Sequence, residues 1–184
     1  MENKIEIFEF IVHKLKDWFI EKNEINSFEE FNLKNDFSTL KLLKLHFLVS
    51  SIESTTDDRL LNQFSFFAMP YGPVETEIYN RIKINPNFNS FIVDNYKSTF
   101  NQGMYVGVWN NPILINSIEN SISKLKEIDN NLINADAGSL VELTHKWNSW
   151  KITYSQARGL GVYSKEMNNE LIKNDNKYLS LQIF

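Results

Sequence analysis

The short segment Pro70-Tyr71-Gly72-Pro73 constrains the fold of this 184-residue chain more than any other segment does. Because proline restricts φ, the backbone is stiff at both ends of the segment and adopts positive φ easily only at Gly72. The aromatic-rich stretch 63–69 before it is short, which is typical of a strand. Pro73 suits the first position of a helix, followed by acidic residues in the first turn. The sequence therefore predicts a tight corner that a strand enters and a helix leaves.

A leucine-rich segment supplies the predicted centre of the core. Between Thr39 and Ser54 the apolar residues leave little of a helical surface polar, which indicates a buried helix. Asp36 and Ser38 are both candidates for its N-cap, and His46 lies among the leucines. Three- and four-residue apolar spacing and turn signals predict further helices over 5–20, 73–84, 88–100, 112–132, 139–146, 149–159 and 165–173. Ser139, Ser149 and Ser164 are the predicted caps of the last three.

These patterns predict a mainly α fold, a helical bundle around the leucine-rich helix with a small β element next to the corner. Residues 102–109 are expected to be irregular or briefly extended, and the apolar tail 178–184 is expected to dock on the core. No repeat or linker interrupts the chain, so we expect a single domain over residues 1–184. Within it, residues 1–37 form an N-terminal helix and a connector.

Composition narrows the function classes. A formal net charge of −4 and a sequence pI near 5.4 argue against non-specific binding to nucleic acid. Cysteine is absent, which excludes disulfides, thiol nucleophiles and thiolate metal sites. No apolar run reaches membrane-spanning length, so we expect a cytoplasmic protein without a membrane partner.

Signals for enzymatic chemistry are few. Glu142 and His145 have the spacing that places two metal ligands on one helix face, but the further ligands of such a site are missing. The glycine pairs in 103–107 and 159–161 lack the context of a phosphate-binding loop. No nucleophile-elbow pattern occurs. We therefore expect no catalytic residue, no cofactor and no metal.

Three clusters remain as binding candidates, each beside a structural interpretation. An acidic run at Glu53, Asp57 and Asp58 is either a solvated loop or a docking point for a basic partner. Tyr71 is either half-buried in the corner or an exposed interface anchor. The third cluster combines aromatic and basic residues and indicates a core or interface stripe, or, less readily, base stacking with phosphate contacts. Its members are Lys146, Trp147, Trp150, Lys151, Tyr154 and Arg158.

Several motifs together resemble a known family. They are Leu42-Leu43-Lys44-Leu45 in the predicted central helix, the corner Tyr71-Gly72-Pro73-Val74, Leu143-Thr144-His145, and Trp150-Lys151 shortly afterwards. In this order they resemble the Panacea domain, also called the SocA-like antitoxin domain, over roughly residues 38–180. The sequence departs from many relatives at His46-Phe47 and at 146–149, which weakens any transfer of partner contacts.

The resemblance implies a bacterial antitoxin that neutralises a cognate toxin by direct protein contact. It also leaves two alternatives open: an adaptor that delivers a toxin to a protease, and a DNA-binding or prophage-associated regulator. The implied signature residues are Tyr71, Gly72, Pro73, Thr144, His145 and Trp150. We expect a structural role for these residues, with Tyr71 as a candidate for the partner surface.

Overall fold

The computed structural model describes residues 3–102 and 110–177. The helices in these ranges are α1 (Lys4–Lys22), α2 (Phe28–Lys34), α3 (Thr39–Ser51), α4 (Thr76–Ile84), α5 (Pro112–Ile128), α6 (Ala137–His145), α7 (Asn148–Gly159) and α8 (Asn169–Lys173). The strands are β1 (Phe66–Met69), β2 (Gly72–Glu75), β3 (Phe91–Ile92), β4 (Thr99–Phe100) and β5 (Lys165–Glu166). The predicted mainly α fold with a small β element is confirmed. No helix in the described ranges is long and apolar enough to cross a membrane.

The central position predicted for the leucine-rich helix is also confirmed. From Lys41 to its end, every residue of α3 is buried, and the helix packs on α1, α5, α6 and β2. Of the two candidate caps it is Ser38 that accepts a hydrogen bond, from the Lys41 amide at 3.2 Å. The helix ends at Ser51, three residues before the predicted end.

Two other predicted helices match the structure closely. α1 extends the prediction over 5–20 by one residue at its start and two at its end. α5 begins at Pro112 as predicted, with the Asn111 side chain accepting the amides of Ile113 and Leu114. Its regular part ends at Ile128, and Leu132 starts a short 3-10 turn instead of continuing the helix.

The prediction that Pro73 begins a helix is wrong. Pro73 lies in β2, which pairs antiparallel with β1 through a two-residue turn at Pro70–Tyr71. In the sheet order β2-β1-β5 this strand lies at an edge, where a residue without an N–H group is tolerated. The helix begins at Thr76, and the Glu75 side chain caps it by accepting the Ile78 amide at 2.8 Å.

The helix predicted over 88–100 is also wrong. That stretch contains a short hairpin in which Phe91 and Phe100 are cross-strand partners with ring centroids 5.1 Å apart. Phe88 stacks on Phe91 at 4.7 Å, so the three rings form one buried cluster. Phe88 also contacts Phe8 on α1, and Phe100 contacts Phe31 on α2, so packing on helices distant in sequence overrides the local helical spacing. The irregular piece predicted for 102–109 lies outside the described residues, except for Gln102.

The caps predicted for the last three helices differ from those observed. Asp136, and not Ser139, caps α6 by accepting the Ser139 amide at 2.8 Å. The Ser149 amide instead donates to the Asp175 carboxylate at 2.6 Å, and Ser149 lies inside α7. A carboxylate is the stronger acceptor for helix amides, which explains both results.

The final predicted helix over 165–173 is divided. Lys165 and Glu166 form β5, which pairs with β1, and Asn168 caps a short α8. The extended segment arises because the Met167 amide donates to the Phe66 carbonyl at 2.8 Å, a sheet contact that local spacing does not predict. The docking predicted for the tail 178–184 lies outside the described residues.

Candidate functional site

Lys44 fastens one side of the turn between β1 and β2. Its side chain is fully buried, and its Nζ donates a hydrogen bond of 2.6 Å to the Pro73 carbonyl. Burial favours the uncharged amine and lowers the pKa of Lys44 to about 7. A lysine in the middle of a leucine-rich helix thus holds the edge strand against α3.

His145 and Trp150 fasten the other side of the same turn. Trp150 Nε1 donates to the Met69 carbonyl at 3.0 Å, and the His145 ring lies near the Pro70 carbonyl. The two rings stack with centroids 3.9 Å apart, and Tyr154 continues the stack at 5.0 Å. Residues at the end of α6 and near the beginning of α7 therefore contact the hairpin backbone next to the turn and hold it in place.

The electrostatic environment of His145 favours its neutral form. Burial is the largest cause of its lowered pKa, and a protonated Lys44 nearby lowers the pKa further. The charge of Glu142 and the nearby Pro70 carbonyl oppose these effects. His145 Nε2 is buried without a hydrogen-bond partner among the described residues.

Gly72 is required by two independent features of the turn. Its φ is +92°, a region that residues with a Cβ rarely adopt. A Cβ at this position would lie 2.6 Å from Thr144 Oγ1 and 3.2 Å from Lys44 Nζ. Thr144 is fully buried, and its hydroxyl donates to the Val141 carbonyl at 2.9 Å. The hairpin therefore reaches α3 and α6 only because position 72 has no side chain.

Tyr71, at the tip of the turn, points away from these anchors. The residue is 66% exposed, which decides between the two interpretations of this residue in favour of an exposed position. Together with Tyr163 it borders a cavity of about 260 Å³ whose other lining residues include Leu43 and Val74. The turn thus presents an aromatic side chain beside an apolar recess.

The six predicted signature residues therefore meet at one place. Gly72, Pro73, Thr144, His145 and Trp150 lie in or against the hairpin, and Tyr71 is the one of the six that is exposed. Sequence reasoning missed the role of Lys44, although its position among leucines in a buried helix was a usable signal. A buried lysine must find an acceptor, and here the acceptor is the family-motif proline itself.

The Glu142 and His145 pair does not form a metal centre with other described residues. Glu142 is exposed, whereas the His145 ring is directed at the turn and at Trp150. No group of three or more His, Asp or Glu side chains in residues 3–102 and 110–177 could hold a metal ion. The pair affects the site only through charge.

The aromatic and basic cluster is a core stripe on its aromatic side. Trp147 is fully buried against Phe47, with centroids 4.9 Å apart, and Trp150 is 9% exposed. The indole rings of Trp147 and Trp150 are therefore packed in the protein and not exposed for stacking on a base.

The acidic run is occupied by the protein's own cations. Asp57 accepts hydrogen bonds from Arg59 at 2.7 Å and from Ser117 at 2.6 Å, and these contacts lower its pKa to about 2. Asp58 accepts from Lys173 at 2.8 Å. These pairs tie the loop to α5 and α8, so the run is less suited to docking a basic partner than its sequence indicates.

Comparison with known proteins places these residues in a family. A family model described as antitoxin SocA-like, Panacea domain, matches residues 42–151. No curated protein and no solved structure matches the chain. The matched range is more than half of the sequence, and it contains α3 from Leu42 onward, the turn, and the residues of α6 and α7 that fasten it. The chain belongs to the SocA-like antitoxin, Panacea domain family.

Proposed function

We propose that this protein is an antitoxin that neutralises a cognate toxin by binding it directly. The observation that supports the proposal best is the exposure of Tyr71 on a turn whose backbone three buried or stacked side chains hold in place. Tyrosine is enriched among the residues that dominate binding energy at protein interfaces. The family description supports an antitoxin role in general, and the proposal adds the mode of action.

A rigid turn suits a residue that binds a partner. Ordering flexible groups opposes association, and a side chain on a fixed backbone avoids much of that cost. Lys44 bonds the Pro73 carbonyl in β2 and Trp150 bonds the Met69 carbonyl in β1, on the two sides of the turn, and His145 stacks on Trp150. In the proposal these groups position Tyr71 and do not perform chemistry, so the protein acts as a binding protein in the bacterial cytoplasm and not as an enzyme.

Co-expression with the neighbouring gene tests the proposal. The neighbouring product is expressed in a heterologous bacterium with and without this protein, growth is scored, and the complex is purified. We expect growth arrest by the neighbour alone and rescue by the wild-type chain with a stable complex. The Tyr71→Ala variant should rescue poorly and bind about tenfold or more weakly.

The matched control is Leu33→Ala, which removes another exposed apolar side chain, on α2. It should rescue growth as well as the wild type does. If the toxin disappears from cells that contain the wild-type protein, and a protease-deficient strain restores it, delivery to a protease replaces simple occlusion. If no complex forms and the protein instead binds its own upstream DNA, the antitoxin proposal is wrong.

A further inference from the structure

One segment of this acidic protein is purely basic. Residues 146–165 contain Lys146, Lys151, Arg158 and Lys165 and no Asp or Glu, whereas the whole chain has 23 acidic and 19 basic residues. The segment comprises α7, the loop that follows it, and the first residue of β5. The net negative charge of the protein therefore comes from elsewhere in the chain.

None of these four cations forms an ion pair with a described residue, and two of the four are exposed. Lys151 and Arg158 are exposed on α7, seven residues apart and so on the same side of the helix. In the described ranges neither of them lies within salt-bridge distance of a carboxylate, although most exposed cations of α1, α2 and α5 do. Their charge is consequently available to a partner.

The loop after α7 exposes apolar side chains to solvent. The Val162 amide donates to the Ala157 carbonyl at 3.0 Å and the Gly161 amide to the Arg158 carbonyl at 3.1 Å, which together form a Schellman motif. Gly161 has the positive φ, +70°, that this motif requires. The motif fixes the loop while Leu160 remains 70% exposed and Val162 46% exposed.

The same loop reaches the turn that carries Tyr71. Tyr163 follows Val162, is 67% exposed, and borders the recess that Tyr71 also borders. Lys151 and Arg158 on α7, with Leu160, Val162 and Tyr163 on its loop, are here called the α7 face. Tyr163 places the loop end of this face beside the tip of the hairpin turn.

We propose that the α7 face docks an acidic, partly apolar surface of the toxin, next to the site where Tyr71 binds. The inference rests on the proposed function and specifies the chemistry of the partner. Charge complementarity selects an acidic partner, since the only charges on the α7 face are positive. The exposed aliphatic side chains favour a protein over nucleic acid, because a phosphate backbone offers them no apolar contact.

A pair of charge-reversal variants with the same net charge tests this proposal. In the first, Lys151→Glu is combined with Arg158→Glu; in the second, Lys34→Glu is combined with Lys124→Glu on α2 and α5. Dissociation constants for the purified toxin are measured at low and at high salt, with circular dichroism as a check on folding. We expect the first variant to bind at least about tenfold more weakly and the second to bind within about twofold of the wild type. Wild-type binding should weaken with salt, and the first variant should lose most of that dependence.

The possible outcomes separate this inference from the proposed function. If the wild-type protein does not bind the toxin, the proposed function fails first. If it binds and both charge variants bind equally well, the toxin uses another surface and the α7 face proposal is wrong. A third outcome is that the first variant binds the toxin as tightly as the wild type does, while a short DNA duplex binds the wild type and not this variant. The α7 face then recognises nucleic acid, which also overturns the proposal.

Discussion

The two sides of α3 each bury a basic side chain, but only one of the two side chains has a hydrogen-bond partner. Lys44 faces the hairpin turn and donates a 2.6 Å hydrogen bond to the Pro73 carbonyl. His46, two residues later, faces the aromatic core, with ring centroids 4.4 Å from Phe64 and 5.3 Å from Phe8. Neither nitrogen of His46 has a hydrogen-bond partner among the described residues.

Burial lowers the pKa of both residues, to about 7 for Lys44 and to about 3 for His46. Only Lys44 compensates part of that cost through a hydrogen bond that also positions the turn. The difference indicates that α3 is optimised for the hairpin on one side, whereas on the other side a polar ring occupies space that an apolar residue could fill. Substitutions on each side can test this interpretation.

The largest effect is expected from Gly72→Ala. A left-handed φ costs a residue with a Cβ about 1–2 kcal/mol. The contact of 2.6 Å with Thr144 Oγ1 adds about 1–3 kcal/mol, because backbone and buried atoms must shift. We expect the free energy of unfolding to fall by about 3 kcal/mol in denaturant titrations.

A double variant separates the two causes. Combining Gly72→Ala with Thr144→Ala removes the hydroxyl in the way, so part of the loss caused by Gly72→Ala should be recovered, while the φ penalty remains. If Gly72→Ala is as stable as the wild type, the turn does not have the tight approach to α6 that the structure shows.

Lys44→Met should have the next largest effect. Methionine fills a similar volume but leaves the Pro73 carbonyl buried without its donor, which costs about 2 kcal/mol. The wild-type protein should become more stable as pH rises from about 7 to about 10, because unfolded Lys44 holds its proton up to its ordinary pKa and folded Lys44 does not. The variant lacks the contribution of Lys44 but keeps those of Lys41 and of Lys177, whose pKa burial lowers to about 8, so the difference between the two proteins should widen with pH in thermal melts. Parallel pH profiles would contradict the assignment of a lowered pKa to Lys44.

His46→Leu should stabilise the protein, in contrast to the substitution at Lys44. It removes two buried nitrogens without partners and keeps a side chain of similar size, for a gain of about 1–2 kcal/mol. The wild-type protein should also lose stability as pH falls below about 6.5, since unfolded His46 then binds a proton that the folded state excludes. The variant should lose less, although His13, with a pKa lowered to about 4, retains some acid sensitivity in both proteins.

Chemical denaturation at neutral and mildly acidic pH measures both effects of His46→Leu. A variant that is less stable at both values would mean that the ring contacts of His46 outweigh its unmet hydrogen bonds.

A contrast between local and long-range contacts explains which elements could be predicted from sequence. The extent of α3, α1 and α5 followed from apolar spacing and capping residues, because those elements are determined within a few turns of chain. The strand at Pro73 and the hairpin of Phe91 and Phe100 did not. Their strand partners lie within nine positions along the chain, but both hairpins are held by packing on distant residues, Lys44 against Pro73 and Phe31 against Phe100. Local pattern cannot distinguish a short strand at a sheet edge from the first turn of a helix when proline suits both.

Within the candidate site, sequence motifs identified the residues but not their connections. The motifs named Gly72, Thr144, His145 and Trp150 as one signature, but nothing local shows that these residues meet at one hairpin, or that side chains of α3 and α7 bond its backbone carbonyls. The role of Lys44 depends on a contact across 29 positions. The exposure of Tyr71 likewise follows from the packing of the turn and not from its own neighbours in sequence.

The smallest effect is expected from a substitution at Trp150, which compares the hydrogen bond from α7 to the hairpin with the one from Lys44 on α3. Trp150→Phe keeps an aromatic ring that can stack between His145 and Tyr154 but removes the Nε1 donor to the Met69 carbonyl. Because Trp150 is partly accessible at 9% exposure, water can replace some of that bond, and we expect a loss of about 1 kcal/mol in the free energy of unfolding. Trp150→Leu is the matched control, since it removes the donor and the stack together and should cost more. If Trp150→Phe destabilises the protein as much as Lys44→Met does, the hydrogen bond of Trp150 holds the hairpin as strongly as that of the buried lysine. The contrast between α3 and α7 in fastening the hairpin would then disappear.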